Sequence, residues 1–335
     1  MRFAIPGREL SCDFTYEPPS NYFEIHLRQN KRRGADADEQ DTRVKLFKRI
    51  YIEITNSCNL SCGFCPGTSR PIQFLTLAQF DGIVNKLEDY SKHLYFHVLG
   101  EPLLHPQLPA FLDIAHDHGK FVNLVTNGTL IGKVGGAIVP MPALRQVTFS
   151  MHGLTVGDKT AHPLKINSNI TDYFDPILDF TRKAQINHFI SYRLWPENES
   201  TDHGTWEALI KKIEKEFALP FSLHEKLKAI SALPLDKNVF LNVSGRFAWP
   251  DMNAPDFGEK GFCLGLREQF AILVDGSVVP CCLDRNADMT LGNIFKQPID
   301  EILGSERAQR IVEGFSQRKV VEELCRRCGY RKRFG

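Results

Sequence analysis

Three cysteines stand close together in "SCNLSCGFC", at Cys58, Cys62 and Cys65, with Pro66 and Gly67 directly after them. Thiolates are soft ligands that suit iron–sulfur clusters, and a cube with four iron corners takes one thiolate at each when fully ligated. Three thiolates therefore leave one iron open. A structural zinc would need a fourth nitrogen or sulfur donor, and no other cysteine or histidine lies beside this loop in sequence. A distant fourth donor stays open as the alternative. A second set of thiols comes late in the chain, at Cys263, Cys281, Cys282, Cys325 and Cys328. The segment "ILVDGSVVP" reads as a hairpin turning at Asp275-Gly276, which brings thiols from a hairpin and from a C-x2-C turn toward one metal. Four thiols close either a cube or a structural zinc. Adjacent side chains on a strand face opposite ways, so only one of Cys281 and Cys282 is expected at that metal. Cys282 and Cys12 are expected to be unligated.

The elements around these thiols follow a regular rhythm. "RIYIEIT" (49–55) is a strand by β-branched content and alternation, and the first cysteine loop follows it. Thr76 is a plausible N-cap for a helix that puts Leu77, Phe80, Ile83, Val84 and Leu87 on one face. Strands are then expected at 93–99, 121–125, 146–150, 188–195 and 239–243. The helices between them are expected near 107–118, in a glycine-broken stretch after the third strand, and at 169–184 and 203–217. Alternating strand and helix implies parallel strands with right-handed crossovers, and six such units form a curved, partly closed barrel. Loops at the strand carboxyl ends gather at one rim. "GEP" (100–102), "TNG" (126–128) and "SMHG" (150–153) thereby join the cysteine loop at one mouth.

The expected organisation is an α/β chain. It has an N-terminal extension at 1–48, a partial (βα)6 barrel at 49–249, and a small α+β domain at 250–335 beyond the Pro- and Gly-rich joint "DMNAPDFGEKG". The charged run 28–43 reads as a solvated linker or a lid. With 41 basic and 40 acidic residues among 335, the net charge of +1 gives no overall field toward nucleic acid or anionic lipid. No stretch reaches the roughly 18 to 20 apolar residues of a membrane span, and the first residues lack a signal-peptide core. Nine clustered cysteines suit metal ligation in a reducing compartment, so a cytoplasmic location is expected.

Cys58-x3-Cys62-x2-Cys65 after the first strand of a βα repeat resembles the radical S-adenosylmethionine (radical SAM) enzymes. The resemblance implies that the open iron is chelated by the amino and carboxyl groups of SAM, and that Phe64, before the third cysteine, packs near the adenine. It further implies that Gly100 and Glu101 in "LGEP" lie where the family's Gly-Gly-Glu region holds the SAM amino group, with Leu99 replacing the first glycine. Ser150 falls near the ribose, Arg193 near the carboxylate, and Thr126 and Asn127 on the same rim. The late cysteines resemble the auxiliary-cluster domain called twitch, or its larger relative SPASM. The family spacing Gly276-x4-Cys281 favours Cys281 over Cys282 as ligand.

Two 4Fe–4S clusters and SAM are then the implied cofactors. A 5′-deoxyadenosyl radical would abstract hydrogen from a small-molecule or peptide substrate. An external one-electron reductant of flavodoxin or ferredoxin type would feed the first cluster. The auxiliary cluster, fully ligated, would move an electron and make the net reaction an oxidation. In a redox-neutral epimerisation, Cys282 would instead return a hydrogen atom. From a different class, a zinc scaffold binding nucleic acid would use the basic tail "CRRCGYRKRFG".

Overall fold

The computed structural model describes residues 46–151, 170–195 and 201–334. The proposed lid at 28–43 and Cys12 lie outside these residues. Five strands, β1 (Arg49–Ile52), β2 (His93–Phe96), β3 (Phe121–Thr126), β4 (Leu144–Ser150) and β5 (Phe189–Leu194), run parallel in chain order. A hairpin, β6 (Ala232–Asp236) and β7 (Val239–Val243), adds β7 in parallel to β5. Late in the chain β8 (Gln269–Ile272), β9 (Ser277–Val279) and β10 (Gly292–Asn293) form a meander. One sheet results, in the order β10-β9-β8-β1-β2-β3-β4-β5-β7-β6.

Strand alternation divides this sheet into two chemically different faces. Ile50 and Ile52, Leu94 and Phe96, Val122 and Leu124, Val147 and Phe149, and Ile190 and Tyr192 are buried in the main core, together with Phe80, Phe111 and Phe174 of the flanking helices. Each such side chain contributes about 1.5–3 kcal/mol on burial, which pins the register of every strand. The opposite parity carries Arg49, Tyr51, Tyr95, Thr148, Ser150, Ser191, Arg193 and Asn242. In register, Ser150 lies beside Arg193, and Arg193 beside Asn242. This polar face is concave. β1 and β5 are four strand spacings apart, about 19 Å in a flat sheet. Yet Arg193 lies within electrostatic reach of Tyr51, and Phe64 after β1 meets Trp195 after β5 with ring centroids 4.4 Å apart.

Thr76 caps the helix Leu77–Lys86 through a reciprocal box. Its hydroxyl accepts from Gln79 N at 3.2 Å, and Gln79 Oε1 accepts from Thr76 N at 2.9 Å. Before the last two cysteines the chain forms two helices, Ile299–Leu303 and Glu306–Ser316, separated at Gly304 with Ser305 capping the second. The first two strands are shorter than their apolar runs suggest. Glu53 and His97 are the points where the chain leaves the ladder for the rim. β6 escaped the pattern because Pro234 sits inside it, which is tolerated on an edge strand. Nothing in local sequence signals that β8 docks in parallel on β1.

Candidate active site and metal centres

The cysteine loop is fastened at the rim by polar contacts. Thr55 Oγ1 donates to Gln73 O at 2.8 Å, and Asn56 spans to Pro71 O at 2.9 Å and Gln73 N at 2.8 Å, closing the loop at its base. At its start, Leu60 N donates to Cys58 Sγ at 3.4 Å. Asn127 Nδ2 donates to Asn59 Oδ1 at 2.9 Å and lies 4.0 Å from Cys58 Sγ, and Asn59 Nδ2 donates to Thr129 Oγ1 at 2.8 Å. The "TNG" loop thus holds the "SCN" turn. Cys58 and Cys65 are exposed and Cys62 is half-buried. Burial pushes the Cys62 thiol up to about 11, with Cys58 and Cys65 adding to it.

Glu101 is the hub beneath this loop. It is 2 % exposed. Its Oε1 accepts from Leu103 N at 2.9 Å and Thr126 Oγ1 at 2.6 Å, and its Oε2 accepts from Asn127 N at 2.7 Å. Burial still raises its pKa to about 7 against these donors. The carboxylate caps the short 3-10 turn Pro102–Leu104 and braces the end of β3. Any ligand contact it makes is added to three protein donors. Gly100 has φ +76, and a Cβ there would lie 2.4 Å from Thr55 O. Only glycine lets the two rim loops approach so closely, and Glu101 N then donates to Ser57 O at 2.7 Å.

Phe64 meets Trp195 edge-on, and Arg246 covers both rings at 6.0 and 5.3 Å. An open cavity of about 510 Å³ runs beside them, lined by Gly63, Phe64, Pro66, Arg246, Phe247, Ala248 and Trp249. Sequence reading missed Trp195 and the "RFAW" segment, which leaves β7 and crosses back to the cysteine loop. Their signal was an aromatic beside an arginine at a strand's carboxyl end.

At the second site Cys263, Cys281, Cys325 and Cys328 share one environment. Burial drives all four thiols up, Cys281 and Cys325 furthest. Cys281 is raised further by Cys282, Cys263, Cys325 and Cys328, and Cys325 by Cys263 and Cys328. Cys282 turns instead toward Tyr51 and Arg49, both of which hold its thiol lower than burial alone would. It packs with Tyr51, Val98, Ala271, Leu273 and Val279. The two neighbouring thiols lie beyond the end of β9 and have different neighbours.

Among the described residues, no three of His, Cys, Asp or Glu converge on the position of a single ion. Each corner of a cube takes one soft thiolate, and the two sets of thiols offer three and four of them. A metal cluster would also supply the positive charge that buried thiols lack here.

The two sites are joined by a buried ion pair. Arg70 Nη2 donates to both oxygens of Glu53 at 2.7 Å, and Arg70 Nε donates to Arg285 O at 2.8 Å. Thr68 and Ser69 reach Asn286 Oδ1 at 3.1 and 3.2 Å. The first cysteine loop is thereby clamped to the segment after Cys282. The basic tail is engaged within the fold. Arg326 pairs with Asp256 and Glu259, Arg327 with Glu323, and Arg331 donates to the carbonyls of Gly258, Lys260, Cys325 and Arg326, while Lys332 and Arg333 lie over aromatic rings. No helix among the described residues is long and apolar enough to cross a membrane.

Residues 52–192 match the radical SAM superfamily, and residues 263–329 match SPASM, the iron–sulfur cluster-binding domain. The chain carries a radical SAM domain and a SPASM domain. The cofactors of that pairing are SAM, a 4Fe–4S cluster and auxiliary iron–sulfur clusters. The S-adenosylmethionine-dependent nucleotide dehydratase of Selenomonas ruminantium is 30% identical over 84 residues, 25% of this chain and 31% of that protein. The PqqA peptide cyclase of Streptomyces rochei is 33% identical over 85 residues, 24% of this chain and 22% of that protein. The match thus spans less than a third of either relative. Among solved structures, SuiB of Streptococcus suis bound to S-adenosylmethionine aligns with TM-score 0.56 and 14% identity, covering 82% of this chain and 68% of that one. BtrN in complex with AdoMet and 2-DOIA aligns with TM-score 0.50 and 16% identity, covering 85% and 94%. These two likenesses concern the fold.

Proposed function

We propose that this chain is an enzyme that removes hydrogen from a small-molecule or peptide substrate held on the concave face of its sheet, and that the net reaction is an oxidation. The observation that carries the reading is the placement of that polar face between two thiol sites, the three-cysteine loop at the rim and the four thiols beside β8 and β9. When bound, SAM and the clusters supply a 5′-deoxyadenosyl radical and an electron path, fed by an external one-electron donor of flavodoxin or ferredoxin type. Cys58, Cys62 and Cys65 hold the first cluster, and Cys263, Cys281, Cys325 and Cys328 the second. Phe64 walls the adenine side, with Trp195 and Arg246 fixing its ring. Gly100, Glu101, Thr126, Asn127, Ser150 and Arg193 border the SAM site, Glu101 by keeping the rim loops in register. The buried surroundings keep water away from a reactive carbon. Anaerobic reconstitution with iron and sulfide, followed by dithionite and SAM, tests the reading. The expected product is 5′-deoxyadenosine, and a reconstituted protein that forms none of it sinks the reading.

A second reading has its own observation. Cys282 packs against Tyr51, where its Sγ–H would return a hydrogen atom to substrate in a redox-neutral epimerisation. Turnover in deuterated water separates the two. The thiol route places solvent deuterium in the product, and oxidation does not.

A further inference from the structure

Arg246, Lys332 and Arg333 are exposed, and their contacts among the described residues are aromatic rings and one backbone carbonyl. Arg246 lies over Phe64 and Trp195 at the open cavity beside the first cysteine loop. Arg333 lies 5.6 Å from the ring centre of Phe247 and 4.7 Å from that of Tyr330, and its Nη2 donates to Gly245 O. Lys332 Nζ stands 3.8 Å over Phe257. A ring attracts a cation without cancelling its charge. Asp256, Glu259 and Glu323, the acidic side chains of these segments, are already engaged by Arg326 and Arg327. In a chain with a net charge of +1, this is a local excess of positive charge.

The three cations sit on one continuous surface. Phe247 and Tyr330 meet with ring centroids 5.1 Å apart, and a Cβ on Gly329 would lie 3.0 Å from Ala248 Cβ, so the ribbon 245–249 packs directly on the turn after Cys328. Phe257 N donates to Arg326 O at 2.9 Å, which sets Lys332 beside the same C-x2-C turn. At the other end the ribbon shares the cavity wall with Pro66, next to the exposed Cys65. The surface thus borders both thiol sites from outside, with half-buried aromatic rings between its charges.

We propose that this surface is the docking site of the external electron carrier, a small acidic protein of flavodoxin or ferredoxin type, and that Lys332 and Arg333 orient it. The inference rests on the enzymatic reading above and adds to it the place where the reductant binds. Complementary charge speeds and orients encounter, which suits a partner that must arrive, deliver and leave. Each productive encounter oxidises the carrier by one electron and reduces one of the two clusters by one electron, with no bond made or broken. A substrate has to enter the concave face, whereas a carrier needs only the outside of a cluster loop. Nucleic acid fits less well, because the other arginines of the tail are spent on internal partners and three cations neutralise few phosphates.

The test reads binding first and turnover second. The reconstituted full chain is titrated by calorimetry with an oxidised flavodoxin and, separately, with an oxidised ferredoxin. The expected result is one carrier per chain, with affinity falling about tenfold or more between roughly 50 and 300 mM sodium chloride. Lys332→Glu and Arg333→Glu each weaken binding about tenfold or more, while Lys332→Arg stays within about threefold of wild type, with iron content reporting the fold of each variant. In both charge-reversed variants, 5′-deoxyadenosine formation driven by dithionite stays within about twofold of wild type, and formation driven by the carrier falls with the binding. The proposal is overturned if neither carrier binds or if binding withstands both charge reversals. It is overturned equally if a hexaglutamate peptide or a single-stranded oligonucleotide binds the wild-type chain as tightly as the better carrier. A chain that cleaves SAM with dithionite but binds neither carrier refutes this inference alone, and one that forms no 5′-deoxyadenosine with dithionite refutes the enzymatic reading beneath it.

Discussion

Cys58, Cys62 and Cys65 come from a single short loop and two of them are exposed, whereas Cys263, Cys281, Cys325 and Cys328 come from separate segments and none is exposed. The first group depends on neighbours for its place: Asn59, Asn127 and Glu101 hold a loop that would otherwise be free at the rim. The second is held by burial, with Cys281 delivered by a hairpin whose turn needs Gly276 at φ +83. An exposed loop that borrows its order suits a ligand that comes and goes. A buried set assembled from distant segments suits a permanent group. Arg70 and Glu53 tie the two together.

The sharpest way to break this contrast is to remove one thiol from each site. Cys62→Ser should lower 5′-deoxyadenosine formation about a thousandfold or more and lose roughly half of the reconstituted iron. Cys325→Ser should lose a similar share of iron with a much smaller fall in SAM cleavage, and equal losses in the two variants would erase the distinction. Next comes the tie between them. Arg70→Ala leaves Glu53 buried without its partner, at a cost of about 3–5 kcal/mol in denaturant unfolding. A change below about 1 kcal/mol would show that the pair does not hold the loops together.

Glu101 offers a pH test of the rim. Burial keeps its proton on to about 7 in the folded chain, against an ordinary value of 4.5. Between those values the folded state binds more protons than the unfolded one, so stability falls as pH rises through the window and levels off above it. At about 1.4 kcal/mol per pKa unit the fall is of order 3 kcal/mol. Urea titrations of metal-free protein should show that slope, and Glu101→Gln should flatten it. The smallest effect is expected at Cys282. Under the oxidative reading Cys282→Ala keeps its iron content and its product yield within about twofold, and loss of product with iron retained would move the reading to the thiol donor.

Much of the rim was legible because it is local. The three-cysteine spacing, the Thr76 cap, the strand–helix rhythm and the Asp275-Gly276 turn are each set by neighbours in sequence, through propensity, capping and alternation. Glu101 was visible as a polar residue at a strand end, but its partners, Thr126 Oγ1 and Asn127 N, are not sequence neighbours. The concave-face residues Arg49, Tyr51, Tyr95 and His97 could have been found by taking the strand parity opposite to the isoleucines and leucines.

By itself the sequence determined which residues can ligate iron, which strand face is apolar, and where loops must turn, because these follow from side-chain chemistry and backbone geometry over a few residues. Only the tertiary structure decided that β8 pairs with β1, and that Trp195 from the end of β5 and Arg246 from beyond β7 meet Phe64. Those outcomes depend on how a curved sheet closes, a balance of burial and register summed over the whole fold that no short window of sequence contains.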